Sequence, residues 1–416
     1  MSTTIISELK EHRIPSGYTI ACITFVLAAL SWIGPFSIDT YLPSLPSISR
    51  SLNTSLAKVQ QTMTAFLLLF ALMSLWHGAI SDAYGRRRLT LIALFVFLVA
   101  SAGCALSVNV HMLMFFRALQ GATAGAGMIV GRAIVRDLFE GPEAQRLMSH
   151  VATIFTVAPV LAPLIGGWFQ VWFGWRSIFV FLVFLSGFLL ISCWRALPET
   201  LPREQRQRLD AKFLIRSYWK VFATPAFLLA CGSMAFTNAG FFIYILGAPT
   251  FLMKHLGLRE TQFLWLFGPI SAGMMIGAWI SGHFAGRLTG NQTIFLGYAI
   301  MTIAAASNLL YHIFSPPRLP WSIVPLLAYV IGMSAAMPSL TLLTLDLFPQ
   351  QRGLAASCQG FIGLSANSAV SAFVPLIWGT ALSLAWTCIS MLALGVVTAL
   401  WYLQVMKKHQ IGLADQ

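Results

Sequence analysis

The chain has 416 residues, of which 57% are hydrophobic and only 9% are charged, whereas soluble domains carry about a quarter charged residues. So few charges cannot cover a water-exposed surface, which excludes an ordinary soluble globular protein. The net charge of +13 falls in short islands between long apolar runs. This pattern indicates loops at a membrane surface and excludes a nucleic-acid-binding face.

A helix that crosses a bilayer needs roughly twenty apolar residues, and the sequence predicts an all-α membrane protein with twelve transmembrane helices. The first run follows a mixed-charge segment and is too long for the apolar core of a cleavable signal peptide, so we expect it to be retained. The predicted spans are 17–41, 60–80, 89–108, 112–134, 147–168, 177–197, 221–246, 261–283, 292–314, 322–345, 354–377 and 383–404.

Lysine and arginine concentrate in alternate predicted loops, as they do in the cytoplasmic loops of membrane proteins. We therefore expect a multi-pass protein of the bacterial inner membrane with both termini in the cytoplasm. The longest polar stretch, 198–220, is predicted as a cytoplasmic linker between an N-terminal six-helix half, 1–197, and a C-terminal half, 221–416. Similar turns after the second and eighth spans support two parallel repeats, a plan that places a substrate site between the halves.

Asp39 is the only charged residue between Tyr18 and Pro46, inside the first predicted span. An ionised carboxylate in hydrocarbon costs several kcal/mol, so such a residue is functional by default. We therefore predict that Asp39 carries protons. The alternative is that the first span ends earlier and Asp39 caps a turn in the hydrated headgroup layer.

Arg117 is the second intramembrane charge, near the start of the fourth predicted span. Because arginine keeps its proton, its role in coupling would be electrostatic: it would attract ionised Asp39 and release it on protonation. Two alternatives stay open. The two residues can pair for purely structural reasons, or Arg117 can extend to the outer membrane surface.

The turn after the second span reads GAISDAYGRRR over residues 78–88. Its aspartate can meet the N-terminal dipole of a neighbouring helix or one of the arginines, and its second glycine permits a tight turn. We predict a cytoplasmic latch that forms in one conformation and breaks in the other. Anchoring by positive charge alone explains the arginines but neither the aspartate nor the glycine spacing. The latch residues are Gly78, Asp82, Gly85, Arg86 and Arg87.

The fifth predicted span carries two prolines four residues apart, followed by two glycines. Prolines remove backbone donors, and glycines permit tight contact. We predict a kinked and closely packed helix that controls leak or switching between states. The residues concerned are Pro159, Pro163, Gly166 and Gly167.

The sequence contains no nucleotide-binding motif, metal-ligand cluster or catalytic triad, and its six cysteines show no CxxC spacing. We therefore expect a protein that is not an enzyme, holds no cofactor or metal, and draws energy from an ion gradient. Polar and aromatic residues in the spans are candidates for lining a substrate cavity. They are Tyr41, Gln120, Asn238, Phe241, Phe242 and Tyr244.

These residues resemble motifs of the major facilitator superfamily. The turn at 78–88 is similar to the loop signature G-x-x-S-D-x-x-G-R-R-x. Residues 37–43 resemble the first-helix motif of the twelve-helix drug:proton antiporters of the bicyclomycin-resistance (Bcr/CflA) subfamily. Residues 117–121 resemble its fourth-helix motif, whose arginine is linked to proton transfer.

The fifth span resembles the antiporter motif G-x-x-x-G-P-x-x-G-G. It departs from that motif at Ala158 and Ala162, where the family usually has glycine, and this weakens the inference of antiport. The resemblance implies the major facilitator fold, a monomer, and export of small, often lipophilic compounds in exchange for entering protons.

The leading hypothesis is therefore a proton-coupled exporter of small drug-like or metabolic compounds that works by alternating access. The alternative is a proton-coupled symporter that imports a small nutrient such as a nucleobase, since the same fold and charges would serve. A sensor that binds without transport is less favoured, because the longest polar segment is too short for a signalling domain.

Overall fold

The computed structural model describes residues 20–139, 141–207 and 209–414, with side chains for all of these except 20–24, 142, 144, 149, 150, 152, 153 and 408–414. Twelve helices of the described chain are long and apolar enough to cross a membrane. The predicted all-α membrane protein with twelve spans is confirmed. The N-terminal segment that we expect in the cytoplasm, residues 1–19, lies outside the described residues.

The twelve spanning helices are numbered in chain order. They are α1 Ile20–Asp39, α2 Leu56–Tyr84, α3 Arg86–Ala105, α4 Val110–Leu138, α5 Gly141–Phe173, α6 Arg176–Ala196, α7 Pro225–Leu246, α8 Leu264–Phe284, α9 Gly290–Phe314, α10 Val324–Asp346, α11 Arg352–Ile377 and α12 Ala381–Ala414.

The first span extends further than the sequence predicts. α1 ends at Asp39, but the chain continues through a 3₁₀ turn, Leu42–Ser44, into a short helix, Leu45–Ser51. Each of these two elements has a proline in its first turn, where the missing N–H costs nothing. Because Tyr41 is fully buried, this extension belongs to the packed interior.

Local sequence signals set several helix boundaries. The side chains of Ser55 and Asn109 accept hydrogen bonds from the backbone N–H groups of Lys58 (3.3 Å) and Met112 (2.8 Å), which caps α2 and α4. Gly85 has a φ of 100°, a conformation that favours glycine. It ends α2 and lets α3 begin at the next residue.

α4 consists of two helical segments, Val110–Ala124 and Ala126–Leu138, that meet at Gly125. A Cβ atom at Gly125 would lie 2.4 Å from the Phe70 ring. Glycine at this position therefore lets α2 pack directly against the junction between the two segments.

The helices form two groups of six. In the first group α2 packs on α4, α3 on α6 and α1 on α5; in the second α7 packs on α12 and α10 packs on both α8 and α9. The two groups meet along α2 with α11 and along α5 with α8. Large apolar side chains, including Phe95 on α3 and Phe184 on α6, are exposed on the outside, as contact with lipid requires.

The segment between the halves contains a helix of its own, Ala211–Phe222. The Tyr218 hydroxyl donates to the Leu75 carbonyl oxygen of α2 at 2.5 Å, and Val221 is buried in one cluster with Ala355 of α11. Part of the predicted polar linker is therefore folded against both halves.

Candidate functional site

Asp39 is the last residue of α1 and is only 7% exposed. Among the described residues, none forms a hydrogen bond or an ion pair with its carboxylate. The C-terminal end of a helix also disfavours negative charge. The carboxylate is therefore enclosed by protein in this conformation. An acid enclosed without a fixed counter-charge is a candidate proton carrier.

Arg117 is fully buried, and its guanidinium is held by dipoles and aromatic faces. It donates to the Ser37 carbonyl oxygen at 3.1 Å and to Gln120 Oε1 at 2.9 Å. Its guanidinium carbon lies 4.6 Å and 4.4 Å from the ring centroids of Tyr41 and Phe66. These contacts stabilise a buried cation without a carboxylate partner.

The expected ion pair between Asp39 and Arg117 is not formed in this conformation. Arg117 instead contacts the backbone of α1 at Ser37, shortly before Asp39 in the chain. Extension of Arg117 to the outer surface is also not observed, because the residue is 0% exposed. The two charges therefore lie on contacting helices but remain separate.

Two of the cavity candidates support the Arg117 site from within the packed interior. The Gln120 side chain accepts from Arg117 and donates to Ser101 Oγ of α3 at 2.8 Å. The hydroxyl groups of Tyr41 and Thr62 are 2.7 Å apart. Gln120 and Tyr41 are both 0% exposed, so neither lines an open surface in this conformation.

The four cavity candidates on α7 differ in how far they are buried. Tyr244 is 0% exposed, and its hydroxyl accepts from the Asn308 amide at 2.7 Å. Phe241 is also buried. Asn238 donates to Asn367 Oδ1 of α11 at 2.8 Å and, like Phe242, is only partly buried. Asn238 and Phe242 thus remain the candidates that a bound compound can reach.

We call the end of the molecule at which α1 and α11 finish the outer end, following the predicted orientation, and the opposite end the inner end. A seam of neutral hydrogen bonds joins the halves at the outer end. Ser371 of α11 accepts from Gln60 (3.2 Å) and Thr64 (3.0 Å) of α2, and Ser368 donates to the Thr64 carbonyl oxygen (3.2 Å). Sequence reasoning missed this seam, because neutral polar residues near helix ends give no distinctive signal.

The inner part of the same interface is less closed. Cβ atoms built at Gly78 of α2 and at Gly360 and Gly363 of α11 would have no neighbour within 4 Å. Within the part of the chain that the structure describes, the direct hydrogen bonds between α2 and α11 all lie at the outer end.

α5 continues through Pro159 and Pro163 as one helix. A Cβ at Gly166 would lie 2.1 Å from the Thr40 carbonyl oxygen, and one at Gly167 would lie 2.2 Å from the Glu260 carbonyl oxygen, just before α8. The first glycine therefore permits contact with the end of α1. The second permits contact with the other half.

The turn between α2 and α3 forms the ion pair expected for its aspartate. Arg86 pairs with Asp82, and it donates to Ser81 Oγ at 2.7 Å and to Asp137 Oδ2 of α4 at 3.1 Å. Arg87 donates to the Trp194 carbonyl oxygen at 2.7 Å. The arginines of the turn therefore connect α2, α4 and α6 of one half.

Glu199 completes this network from the segment after α6. Its carboxylate accepts from the Arg86 backbone N–H at 2.8 Å and pairs with Arg206 at 3.5 Å. A Cβ at Gly85 would lie 2.3 Å from the Glu199 carboxylate. Sequence reasoning missed Asp137 and Glu199, because both are distant from the turn in the chain.

Groups of at least three His, Cys, Asp or Glu side chains that could hold a metal ion are not found among the described residues. The described cysteines, Cys104, Cys193, Cys231, Cys358 and Cys388, are free and buried. The chemistry available at the site therefore consists of one acid, one arginine and neutral hydrogen-bonding groups.

Known proteins resemble this chain over most of its length. It is 32% identical to an uncharacterized MFS-type transporter, YdgK, of Bacillus subtilis over 86% of this chain and 90% of that protein. It is 25% identical to a bicyclomycin resistance protein homolog of Haemophilus influenzae over 84% and 87% of the two chains. The resemblance to the bicyclomycin-resistance proteins is thereby confirmed.

The fold agrees with this result. The crystal structure of a D-xylose-proton symporter superposes with a TM-score of 0.73 at 17% identity and covers 92% of this chain and 97% of that one, which establishes a shared fold. The family model described as Major Facilitator Superfamily matches residues 21–375. With its twelve spans in two six-helix halves, this chain belongs to the major facilitator superfamily of membrane transporters.

Proposed function

We propose that this protein exports small drug-like or metabolic compounds across the bacterial inner membrane in exchange for protons, by alternating access. The observation that carries the proposal is the buried acid Asp39 beside the α1–α4 contact made by Arg117. Buried charges are costly in a membrane and mark ion pathways. Similarity to a protein named for bicyclomycin resistance supports a drug-like substrate.

In this proposal the protein is a monomer, catalyses no chemical reaction and has both termini in the cytoplasm. The latch residues between α2 and α3 hold the inner ends of the N-terminal half together while the halves move. Asn238 and Phe242 contact the transported compound in the cleft between the halves, because they are partly exposed on α7.

Proton coupling would act through the end of α1. Loss of a proton from Asp39 creates a negative charge that the Arg117 guanidinium attracts, which draws the end of α1 toward α4. Thr40, the next residue, touches α5 at Gly166, and α5 touches the other half at Gly167. Movement at Asp39 would therefore reach the contact between the halves at the outer end.

Import by symport is the second candidate, because a D-xylose-proton symporter has the same fold. Everted membrane vesicles with an acidic lumen separate the two directions. An exporter concentrates its substrate in such vesicles in exchange for protons leaving the lumen, whereas a symporter that imports into the cell does not.

The proposal is tested by reconstituting the protein in liposomes and measuring proton movement on addition of a panel of lipophilic antibiotics. We expect substrate-triggered proton movement that is abolished by Asp39→Asn, because an amide cannot carry the proton. The matched control is Asp346→Asn, which alters an exposed acid at the α10–α11 turn and should leave proton movement unchanged.

Normal coupled transport by the Asp39→Asn variant would remove Asp39 from the mechanism. Silence across the panel with all three proteins would argue against drug export and favour a narrow metabolite exporter or an importer.

A further inference from the structure

The inner segment of α4, Ala126–Leu138, is amphipathic although it lies within a membrane span. One side buries small and apolar residues, among them Gly127, Val130 and Ile134. The opposite side exposes Arg132 and Arg136. Residues four apart are neighbours on a helix surface, so the two guanidinium groups project from one face.

Neither arginine has a partner among the described residues, which neither pair with nor hydrogen-bond to their guanidinium groups. Asp137 adjoins Arg136 in the chain, but its carboxylate accepts from Arg86 at 3.1 Å and from Thr200 at 2.8 Å. Arg86 is therefore neutralised, whereas Arg132 and Arg136 present two positive charges to their surroundings.

The charged face is not covered by the helices on which α4 packs. α4 packs on α1, α2, α3 and α5 of its own half, and Gly127 and Gly131 on its buried side approach Leu30 and Leu27 of α1. The exposed large apolar side chains of this half lie mostly on α2, α3, α5 and α6, and on α4 the exposed one, Phe115, lies near the outer end. Because a guanidinium avoids hydrocarbon, the Arg132 face requires a polar environment at the inner end of α4. The inner part of the α2–α11 interface, where Gly78 and Gly360 have open space beside them, is also less closed.

We propose that Arg132 and Arg136 bind the anionic group of the transported compound as it enters the cleft from the inner side, so that the substrates are organic anions with a carboxylate or phosphate. This inference rests on the proposed export function. Guanidinium groups bind such anions through paired hydrogen bonds. The same charges repel lipophilic cations at the mouth of the cleft.

The site is separate from the proton site. Arg132 lies about 22 Å along the axis of α4 from Arg117, and Arg117 is the residue that contacts the end of α1. Arg132 and Arg136 therefore set the affinity for the entering anion, while Asp39 and Arg117 set the coupling. Variants of the two arginines should change KM and leave the number of protons exchanged per substrate unaltered.

The test uses two dyes with the same tricyclic xanthene core, the anion 5-carboxyfluorescein and the cation rhodamine 123. The protein is reconstituted in liposomes of phosphatidylcholine alone with an acidic lumen, and trapped dye is measured after lysis at one fixed pH. We expect 5-carboxyfluorescein to accumulate. Arg132→Gln and Arg136→Gln should each raise its KM about tenfold, the factor for one lost hydrogen bond to a charged group.

Two variants serve as controls. Arg132→Lys keeps the charge and should recover part of the affinity. Arg88→Gln removes an exposed arginine at the start of α3, a different helix, and should not change KM. An unchanged KM in both glutamine variants would overturn the proposal. So would an effect that appears only when anionic phosphatidylglycerol is added, since the arginines would then bind lipid headgroups.

Fluorescence anisotropy of 5-carboxyfluorescein with the purified protein separates this site from the export function. Binding that depends on Arg132 without proton-driven transport would overturn export and leave the site standing. Proton-driven transport of rhodamine 123 without binding of 5-carboxyfluorescein would overturn the site and leave export standing.

Discussion

The guanidinium of Arg117 occupies a position that stability alone does not explain. It is 0% exposed, and its Nε atom has no hydrogen-bond partner among the described residues. Burying a charge costs several kcal/mol, and apolar replacements of similar volume are often neutral. The proposed role of Arg117 in proton coupling would account for a charge retained under these conditions.

We therefore predict that Arg117→Met leaves the free energy of unfolding within about 2 kcal/mol of the unmodified protein and abolishes proton-coupled transport. The five described cysteines are free and buried, so a thiol-reactive fluorophore reports thermal unfolding. Proton movement is measured in parallel in liposomes. A strongly destabilised variant that still couples transport in its folded fraction would assign Arg117 a structural role.

The turn between α2 and α3 is bonded to several residues that are distant in the chain. Arg86 contacts Asp82 and Asp137, and Glu199 accepts from its backbone. The turn between α10 and α11 has a single exposed ion pair, Asp346 with Arg352, at 2.7 Å. Exposed pairs contribute little because water and salt screen them.

Because the Arg86 network is partly buried and the Asp346–Arg352 pair is exposed, replacing an aspartate by asparagine should affect stability unequally at the two turns. Asp137→Asn should destabilise the protein by about 1–3 kcal/mol, because it removes the charge that Arg86 and Thr200 contact in a partly buried network. Asp346→Asn should cost less than about 1 kcal/mol. Thermal unfolding of both variants measures the effects, and equal losses would show that the Arg86 network contributes no more than a surface pair.

At the level of the molecule, the two halves are held together at the outer end by neutral hydrogen bonds and close backbone approach. Ser371 accepts from two residues of α2, and Gly167 lets α5 touch the backbone at Glu260. Neutral contacts of this kind can break and reform without exposing a charge. This suits an interface that opens in each transport cycle.

Two adjacent glycines of α5 test whether close backbone approach holds the halves together at the outer end. Gly166→Ala places a methyl group against Thr40 within one half and should lower stability by about 1–3 kcal/mol. Gly167→Ala places a methyl group against the backbone at Glu260 of the other half. This substitution should instead separate the two halves at the outer end. Maleimide labelling of a cysteine introduced at Ser371, which is buried in this conformation, should increase only with Gly167→Ala. Equal labelling in both variants would contradict the assignment of Gly166 to packing within one half and of Gly167 to the contact between the halves.

Local patterns predicted much of the fold. Runs of apolar residues located the twelve spans, and the aspartate and glycine of the 78–88 turn predicted its ion pair and its sharp change of direction. The first span was predicted too short, because Pro43 and Pro46 read as a break. Both prolines instead begin short helical elements that stay buried.

Hydropathy and charge position along the chain were thus enough to predict a twelve-helix membrane protein and to single out Asp39 and Arg117 as intramembrane charges. The motifs of the turn and of the first and fourth spans predicted the transporter family, which the family model confirms. The sequence pattern did not reveal that Arg117 contacts the Ser37 carbonyl, that Gln120 and Tyr41 are buried, or that Gln60 meets Ser371. These contacts join residues up to 311 positions apart. Because they depend on how whole helices pack, no local spacing of residues encodes them.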